Sequence, residues 1–166
     1  QPYHSNIETT ETAMISTLTM TDEQRKSVAL EYLKAFDNGG ITSTGGSILD
    51  LFAEDAQVLF PKWGLATGRE QIGQMFSDLG SRLKSITHDY AHFNWILTGT
   101  DTLVCEGTSF GEHVDGHWRA GVPSAAGAGY WADVFEIRDF KIQRCFIYLD
   151  PDYGSQDTAR YPWLNR

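Results

Sequence analysis

The last third of the chain constrains the fold most, because it predicts two strands joined by a tight turn. Residues 129–137 read as one strand, Arg138–Lys141 as the turn, and residues 142–150 as a second strand that ends before Pro151. Successive side chains of a strand point to opposite faces, so every second residue shares a face. One face of the first strand is predicted to carry Trp131, Asp133, Phe135 and Ile137.

Asp133 is the single carboxylate in this otherwise apolar row. Burial of a carboxylate is costly and raises its pKa, so such a group is usually kept where it has a partner or does chemistry. Two interpretations follow. Asp133 either pairs with one of three arginines at the rim or acts as an acid or base. The three arginines are Arg119, Arg138 and Arg144.

Composition favours one folded domain and excludes some partners. The chain has 166 residues, 41% of them hydrophobic and 13% aromatic, with a net charge of −9. An acidic chain without a cluster of Lys or Arg is not expected to bind nucleic acid or anionic membrane. The sequence also lacks the run of about 18 apolar residues that a membrane span needs. We expect a cytoplasmic protein, although the start at Gln1 leaves room for a removed leader.

The order of predicted elements indicates an α+β fold in three parts: a loose arm (1–20), the main domain (21–153) and a tail (154–166). Thr21 is expected to cap a first helix that ends at Gly39-Gly40, and Ser47 to cap a short one. The other predicted elements are a strand at 56–60, a helix from Thr67 with Leu83 on its apolar face, strands at 88–97 and 103–113, a turn at Asp115-Gly116 and a Gly/Ala-rich loop at 120–129. Helices first and tightly connected strands afterwards imply an antiparallel sheet packed on the helices.

Several segments resemble the nuclear transport factor 2-like superfamily, and within it the SnoaL-like group that includes polyketide cyclases and ketosteroid isomerase-like proteins. These segments are Ala35–Asp37, Leu51–Ala56, Thr67–Ile72, Thr87-His88 with Asn94, Ala132–Ile142 and Tyr148–Pro151. The last hairpin usually has Gly where this chain has Phe140. The resemblance implies a strongly curved sheet wrapped around N-terminal helices, a cone-shaped pocket and, usually, a homodimer. The outer sheet face, with Tyr130, Val134 and Phe146, suits such a dimer.

The resemblance also suggests roles for particular residues in a proton-transfer reaction. Asp133 is similar in placement to the buried acid of ketosteroid isomerase-like members, and His88 would be its acid–base partner. A structural His88 that caps the preceding helix is the alternative. Residues expected to contact the substrate are Tyr32, Trp63, His117, Arg119, Trp131 and Tyr148. His117 and Arg119 would lie at the mouth of the pocket. A cross-strand ion pair between Glu112 and Arg119, with no role in binding, is the favoured alternative.

Other mechanisms have no support in the sequence. It contains no nucleophile elbow, phosphate loop or dinucleotide-binding motif, and a hairpin would put His113 and His117 on opposite faces. Cys105 and Cys145 are expected to be two buried thiols rather than a disulfide. We therefore expect no cofactor and no metal. The leading hypothesis is an isomerase, cyclase, dehydratase or epoxide hydrolase acting on a small apolar molecule. A binding protein and an assembly subunit of the same fold are the alternatives.

Overall fold

The computed structural model describes residues 19–117, 129–153 and 157–161 of the chain. Within these ranges the two α-helices are α1 (Asp22–Asp37) and α2 (Gly68–Ser81). The strands are β1 (Phe52–Phe60), β2 (Gly64–Thr67), β3 (Leu83–His88), β4 (Asn94–Leu97), β5 (Thr102–His113), β6 (Gly116–His117), β7 (Tyr130–Arg138) and β8 (Lys141–Leu149). Strand β2 was not predicted, and β1 begins earlier than expected. The α+β class is confirmed.

Both ends of α1 are set by the residues that the sequence indicated. The Thr21 hydroxyl accepts a hydrogen bond from the Gln24 backbone N–H, and the Gln24 side chain accepts one from the Thr21 N–H. Gly39 and Gly40 follow the helix with φ angles of 66° and 83°, a left-handed backbone that stops it. Asp37 therefore lies in the last turn of α1, next to β3.

The eight strands form one strongly curled sheet in the order β2–β1–β8–β7–β5–β3, with β4 and β6 also paired to β5. Strands β1 and β8 run parallel, and the other pairs are antiparallel. The sheet is therefore mixed rather than wholly antiparallel, because the hairpin with β7 already sets the direction of β8. Its concave face packs against the helices and makes the predicted cone.

The predicted strand 88–97 is wrong in its continuity. A 3₁₀ turn at Tyr90–His92 separates β3 from β4, and the Asp89 N–H donates to the Thr108 carbonyl at 3.0 Å. Both strands pair with β5, β3 along residues 109–113 and β4 along residues 103–106. His88 therefore ends β3 instead of opening a strand.

The turn after β5 lies one residue earlier than predicted. His113 pairs with Gly116 and Glu112 with His117, so Val114-Asp115 form the turn, and Glu112 does not pair with Arg119. Arg82 stabilises this register. Its carbonyl accepts a hydrogen bond from the Val114 N–H at 2.9 Å, and its guanidinium binds the Asp115 carboxylate. The proposed loop at 120–129 and Arg119 lie almost entirely outside the described residues.

Apolar side chains from both helices fill the concave face of the sheet. Tyr32 and Leu33 of α1, and Ile72 and Met75 of α2, are each no more than 2% exposed. Met20 is also buried, although the sequence placed it in the loose arm. Leu83, expected on the apolar face of the second helix, begins β3 instead.

No helix in the described part of the chain has the length and apolar character that a bilayer crossing requires.

Candidate active site

Asp133 lies on the concave face of the sheet, where the period of β7 puts it. Trp131, Asp133, Phe135 and Ile137 are all buried and alternate with more exposed neighbours, as predicted. Asp133 pairs with Cys105 of β5 on one side and Ile147 of β8 on the other, so it is central in the sheet. Its exposure is 3%, and burial raises the pKa of its carboxyl well above the ordinary value. Burial therefore favours the protonated carboxyl, which can donate a hydrogen bond.

Arginine does not neutralise this carboxyl within the described residues. Arg138 binds Glu136 and Asp101, at the end of the hairpin. The Arg144 guanidinium stacks 3.7 Å from the centre of the Phe146 ring on the opposite face of β8. The third candidate, Arg119, lies outside the described residues. The side chains described around Asp133 thus include no hydrogen-bond partner for it, which leaves the carboxyl able to bind a ligand.

The groups around Asp133 are uncharged as well. Tyr32 is 2% exposed and interacts with the Cys145 thiol, and burial raises the pKa of its phenol well above the usual value. Burial and the nearby Asp133 raise the pKa values of both the Cys145 and Cys105 thiols. Both cysteines are buried and free, as predicted. This neutral surrounding favours the protonated form of Asp133 and makes the thiols poor nucleophiles.

His88 is held by Asp37, a contact between residues 51 positions apart. Its Nδ1 lies 2.6 Å from Asp37 Oδ1, and its backbone N–H donates to Asp37 Oδ2 at 2.8 Å. The Tyr90 hydroxyl donates to the same Oδ2 at 2.5 Å. A carboxylate accepts hydrogen bonds, so Nδ1 carries the proton, and in the neutral ring the lone pair is on Nε2. Asp37 thus fixes the orientation of the His88 ring and ties the end of β3 to the end of α1.

Asp133 and His88 line one niche together with Trp131 and Ser109. The niche has a volume of about 30 Å³, which is roughly the space of one water molecule. The Trp131 ring meets the His88 ring edge-on at 5.2 Å between centroids, and its indole Nε1 is buried with no hydrogen-bond partner in the described part of the chain. Gly107 makes room for the rings of Phe93 and Trp131, because a Cβ at this position would stand 2.8 Å from Phe93 and 3.2 Å from Trp131. The niche therefore presents a carboxylic acid, an imidazole and an unpaired indole N–H.

The structure does not bring all the predicted residues to this niche. Tyr32 and Trp131 line it, but Trp63 and Tyr148 do not. The Trp63 indole donates to Asp78 of α2 at 2.8 Å, outside the cone. Tyr148 is 50% exposed on the convex face, because Ile147 is the β8 residue that points inward beside Asp133. The backbone of His117 lies in β6, while Arg119 is outside the described residues.

Sequence reasoning missed Asp37 and Ser109 as members of the site, and it favoured core packing over a place at the cavity for Phe36. Asp37 was noticed only as part of a resembling segment, and no local pattern linked it to His88. Ser109 could have been found from the pairing of β3 with β5, which sets it opposite His88. Among the described residues, no group of three or more His, Cys, Asp or Glu side chains could hold a metal ion.

Comparison with known proteins finds likeness in structure and not in sequence. No protein-family model matches the sequence, and no curated protein matches it significantly. A nuclear transport factor 2-like protein of unknown function from Burkholderia pseudomallei superposes with a TM-score of 0.60 at 15% identity, over 78% of this chain and 92% of its own. A candidate polyketide cyclase from Xanthomonas campestris gives 0.60 at 17% identity, over 87% and 96%.

A third solved structure, TerC co-crystallised with polyporic acid, gives a TM-score of 0.56 at 17% identity, over 85% of this chain and 97% of its own. At sequence identities this low, the similarity shows a shared fold and does not extend to function.

Proposed function

The chain has the nuclear transport factor 2-like fold, and from the site on its concave face we propose that it is a cofactor-independent acid–base enzyme. Its substrate in this proposal is a small, largely apolar molecule that bears a carbonyl group or a reactive ring. The observation that carries the proposal is the shared niche of Asp133 and His88. Asp133 is buried without a hydrogen-bond partner among the described residues, which favours its protonated form, and the His88 ring is oriented by Asp37. A hydrogen-bond-donating acid beside an oriented imidazole is typical of proton-transfer sites.

The proposed chemistry is a proton transfer next to a carbonyl. The substrate oxygen occupies the niche and accepts a hydrogen bond from the protonated carboxyl of Asp133. His88 Nε2 then removes a proton from the neighbouring carbon, and the electron pair of the broken C–H bond moves into an enolate. The hydrogen bond from Asp133 stabilises the charge on the enolate oxygen. Asp37 stabilises the imidazolium, which returns the proton to another carbon or to a leaving oxygen.

The surroundings of the niche support this assignment. Neutral neighbours favour the protonated form of Asp133, and a small volume with a low dielectric constant strengthens its hydrogen bond to a developing charge. The Trp131 N–H is a second donor within the same wall. The similarity to a candidate polyketide cyclase and to a protein crystallised with polyporic acid is consistent with a ring-bearing substrate.

A ligand screen with the Asp133→Asn variant tests the proposal. Wild type and variant are compared by thermal shift against enones, β-keto esters, lactones, epoxides and steroids, and each hit is followed for product. We expect a compound that wild type consumes and the variant only binds, with turnover lowered about 10²- to 10³-fold. The Asp55→Asn variant removes an exposed carboxylate of β1 and serves as the control. Wild-type turnover in Asp133→Asn would remove this residue from the mechanism.

A second candidate function is a non-catalytic subunit of an assembly, and two observations favour it. The cone is nearly filled at the niche, and the convex face carries an apolar row in register across six strands. The row consists of Leu65, Leu59, Phe146, Val134, Val104 and Ile96. Such a row suits a homodimer whether or not the protein is an enzyme. Hits that bind both proteins equally without product would favour a non-catalytic role.

A further inference from the structure

The niche is too small to hold a substrate by itself. Its volume of about 30 Å³ accommodates a single oxygen-bearing group, whereas pockets for small molecules measure roughly 300–1,000 Å³. If Asp133 and His88 act on a substrate, most of that molecule must lie elsewhere. The structure contains a cavity of suitable size directly beside the niche.

This outer cavity, bounded by the end of α1, the segment 47–49, α2 and the start of β3, has a volume of about 440 Å³. Its apolar lining includes Ile48, Leu49 and Phe76, and serines 47, 77 and 85 add hydroxyl groups. Gly80 of α2 borders it, and a Cβ there would meet no atom within 4 Å. The cavity is therefore open and largely apolar, with serine hydroxyls at its edge and two charged side chains, Asp37 and Lys84, that are paired with His88 and Glu112.

Phe36 separates the outer cavity from the niche. Phe36 and Ile86 line both spaces, and Phe36 also borders a third void of about 30 Å³ beside Tyr153. The Phe36 ring is only partly buried and meets its neighbours edge-on, with centroids 5.7 Å from Phe76 and 6.3 Å from His88. A single ring thus stands where the three spaces meet. Movement of this ring would join them.

The Asp37–His88 pair crosses the same boundary. Asp37 lines the outer cavity, while His88, bonded to it at 2.6 Å, lines the niche. A ligand in the outer cavity would therefore lie against the carboxylate that orients the base. A flat ring placed there would point one substituent towards Phe36 and the niche behind it.

We infer that the outer cavity binds the body of the substrate and that Phe36 is the partition past which its reacting group reaches Asp133 and His88. The inference rests on the proposed function, because it takes these two residues as the reacting pair. The ligand class is a neutral, flat ring system with one small carbonyl-bearing end, its hydroxyl substituents facing the serines. Phe36 then limits the size of the end that can enter.

A chemical plug in the outer cavity tests the binding site. Gly80→Cys is alkylated with N-phenylmaleimide, and alkylated Ser81→Cys is the matched control, since Ser81 is exposed and lines no cavity described here. The native thiols are buried and should not react. The probe is 2-acetylnaphthalene, titrated by calorimetry. We expect the plug at position 80 to weaken binding about tenfold or more and the label at position 81 to leave it unchanged.

The size of the reacting end tests the partition. Phe36→Ala should admit 2-benzoylnaphthalene, whose end is bulkier, whereas wild type and the control Phe76→Ala should not, because Phe76 borders only the outer cavity. Phe36→Leu provides a milder variant if Phe36→Ala does not fold. Equal rejection of the larger probe by folded Phe36 variants and wild type would overturn the role of Phe36.

The two proposals can fail separately. Turnover that survives the plug at position 80 would overturn the outer-cavity assignment and leave the acid–base function standing. Probe binding that the plug blocks, together with no turnover of any screened compound, would support the cavity and refute the enzyme. Failure of wild type to bind 2-acetylnaphthalene at its solubility limit would overturn the assigned ligand class.

Discussion

Relative to wild type, the Asp133→Asn variant should gain stability as the pH rises above about 4, the ordinary pKa of Asp. The carboxyl is 3% exposed and has no hydrogen-bond partner in the described part of the chain, so burial raises its folded-state pKa. In the unfolded chain the same group titrates normally. The variant is isosteric and carries no titratable proton, so it removes this difference between the two states.

The sign follows from proton linkage. Between the unfolded and folded pKa values, the unfolded chain has released its proton and the folded protein still holds it. Wild-type stability therefore falls with pH across this window, by about 1.4 kcal/mol per pH unit. The difference between Asp133→Asn and wild type should therefore move steadily in favour of the variant as the pH rises through this window.

At pH 4 and below, the side chain of residue 133 is neutral in both folded proteins, and the variant should be the less stable of the two. The buried amide lacks an acceptor among the described side chains, which should make the variant about 1–3 kcal/mol less stable than wild type. The two stability curves should therefore cross as the pH rises. Above the folded pKa of Asp133 the difference becomes constant.

Urea denaturation from pH 4 to pH 8 measures this difference. Wild type, Asp133→Asn and the control Asp55→Asn are unfolded at each pH, and the free energies of unfolding are subtracted so that other groups cancel. Asp55 is exposed on β1, and its variant should run parallel to wild type. Three parallel curves would refute the reasoning, since Asp133 would then titrate alike in both states and would not be a protonated acid at neutral pH.

Three further predictions concern other parts of the molecule. Asp37→Asn should abolish the downfield NMR signal of the His88 Nδ1 proton. The control Tyr90→Phe should keep this signal, because Tyr90 only donates a second hydrogen bond to Asp37. A signal unchanged in Asp37→Asn would contradict the pairing. Phe140 is half-exposed with a φ of 59°, so Phe140→Gly should raise stability by about 1 kcal/mol in urea and Phe140→Ala should not; equal midpoints for both would rule out strain. Wild type should sediment as a dimer and Val134→Lys as a monomer, and a monomeric wild type would exclude the proposed sheet-face dimer.

Several elements could be predicted because their signals are local. The reciprocal bonds of Thr21 and Gln24 lie within one helical turn, and the turn at Arg138–Lys141 joins adjacent strands. The inward position of Asp133 needed only the two-residue period of a strand and the apolar residues on either side. The fold class followed from the order of such elements along the chain.

The errors occur where a residue depends on partners distant in sequence. Tyr148 was predicted to lie in the pocket. The face of the sheet on which it lies depends on the register of β8 against β7, which cannot be read from the sequence. Trp63 was expected at the cavity, but Asp78 of α2 accepts its indole N–H outside the cone. The predicted strand 88–97 breaks at Asp89, whose N–H donates to the carbonyl of Thr108 in β5.

The sequence by itself determined the helix caps, the β7–β8 hairpin and an ionisable group on a buried face, because each depends on neighbours a few residues away. Tertiary structure alone decided that Asp37 holds His88 across 51 positions and that Phe36 divides two cavities. Those features depend on how a helix terminus packs against a curved sheet, and on the space that packing leaves. The spacing of residues along the sequence gives neither the distance between Asp37 and His88 nor the volumes of the cavities beside Phe36.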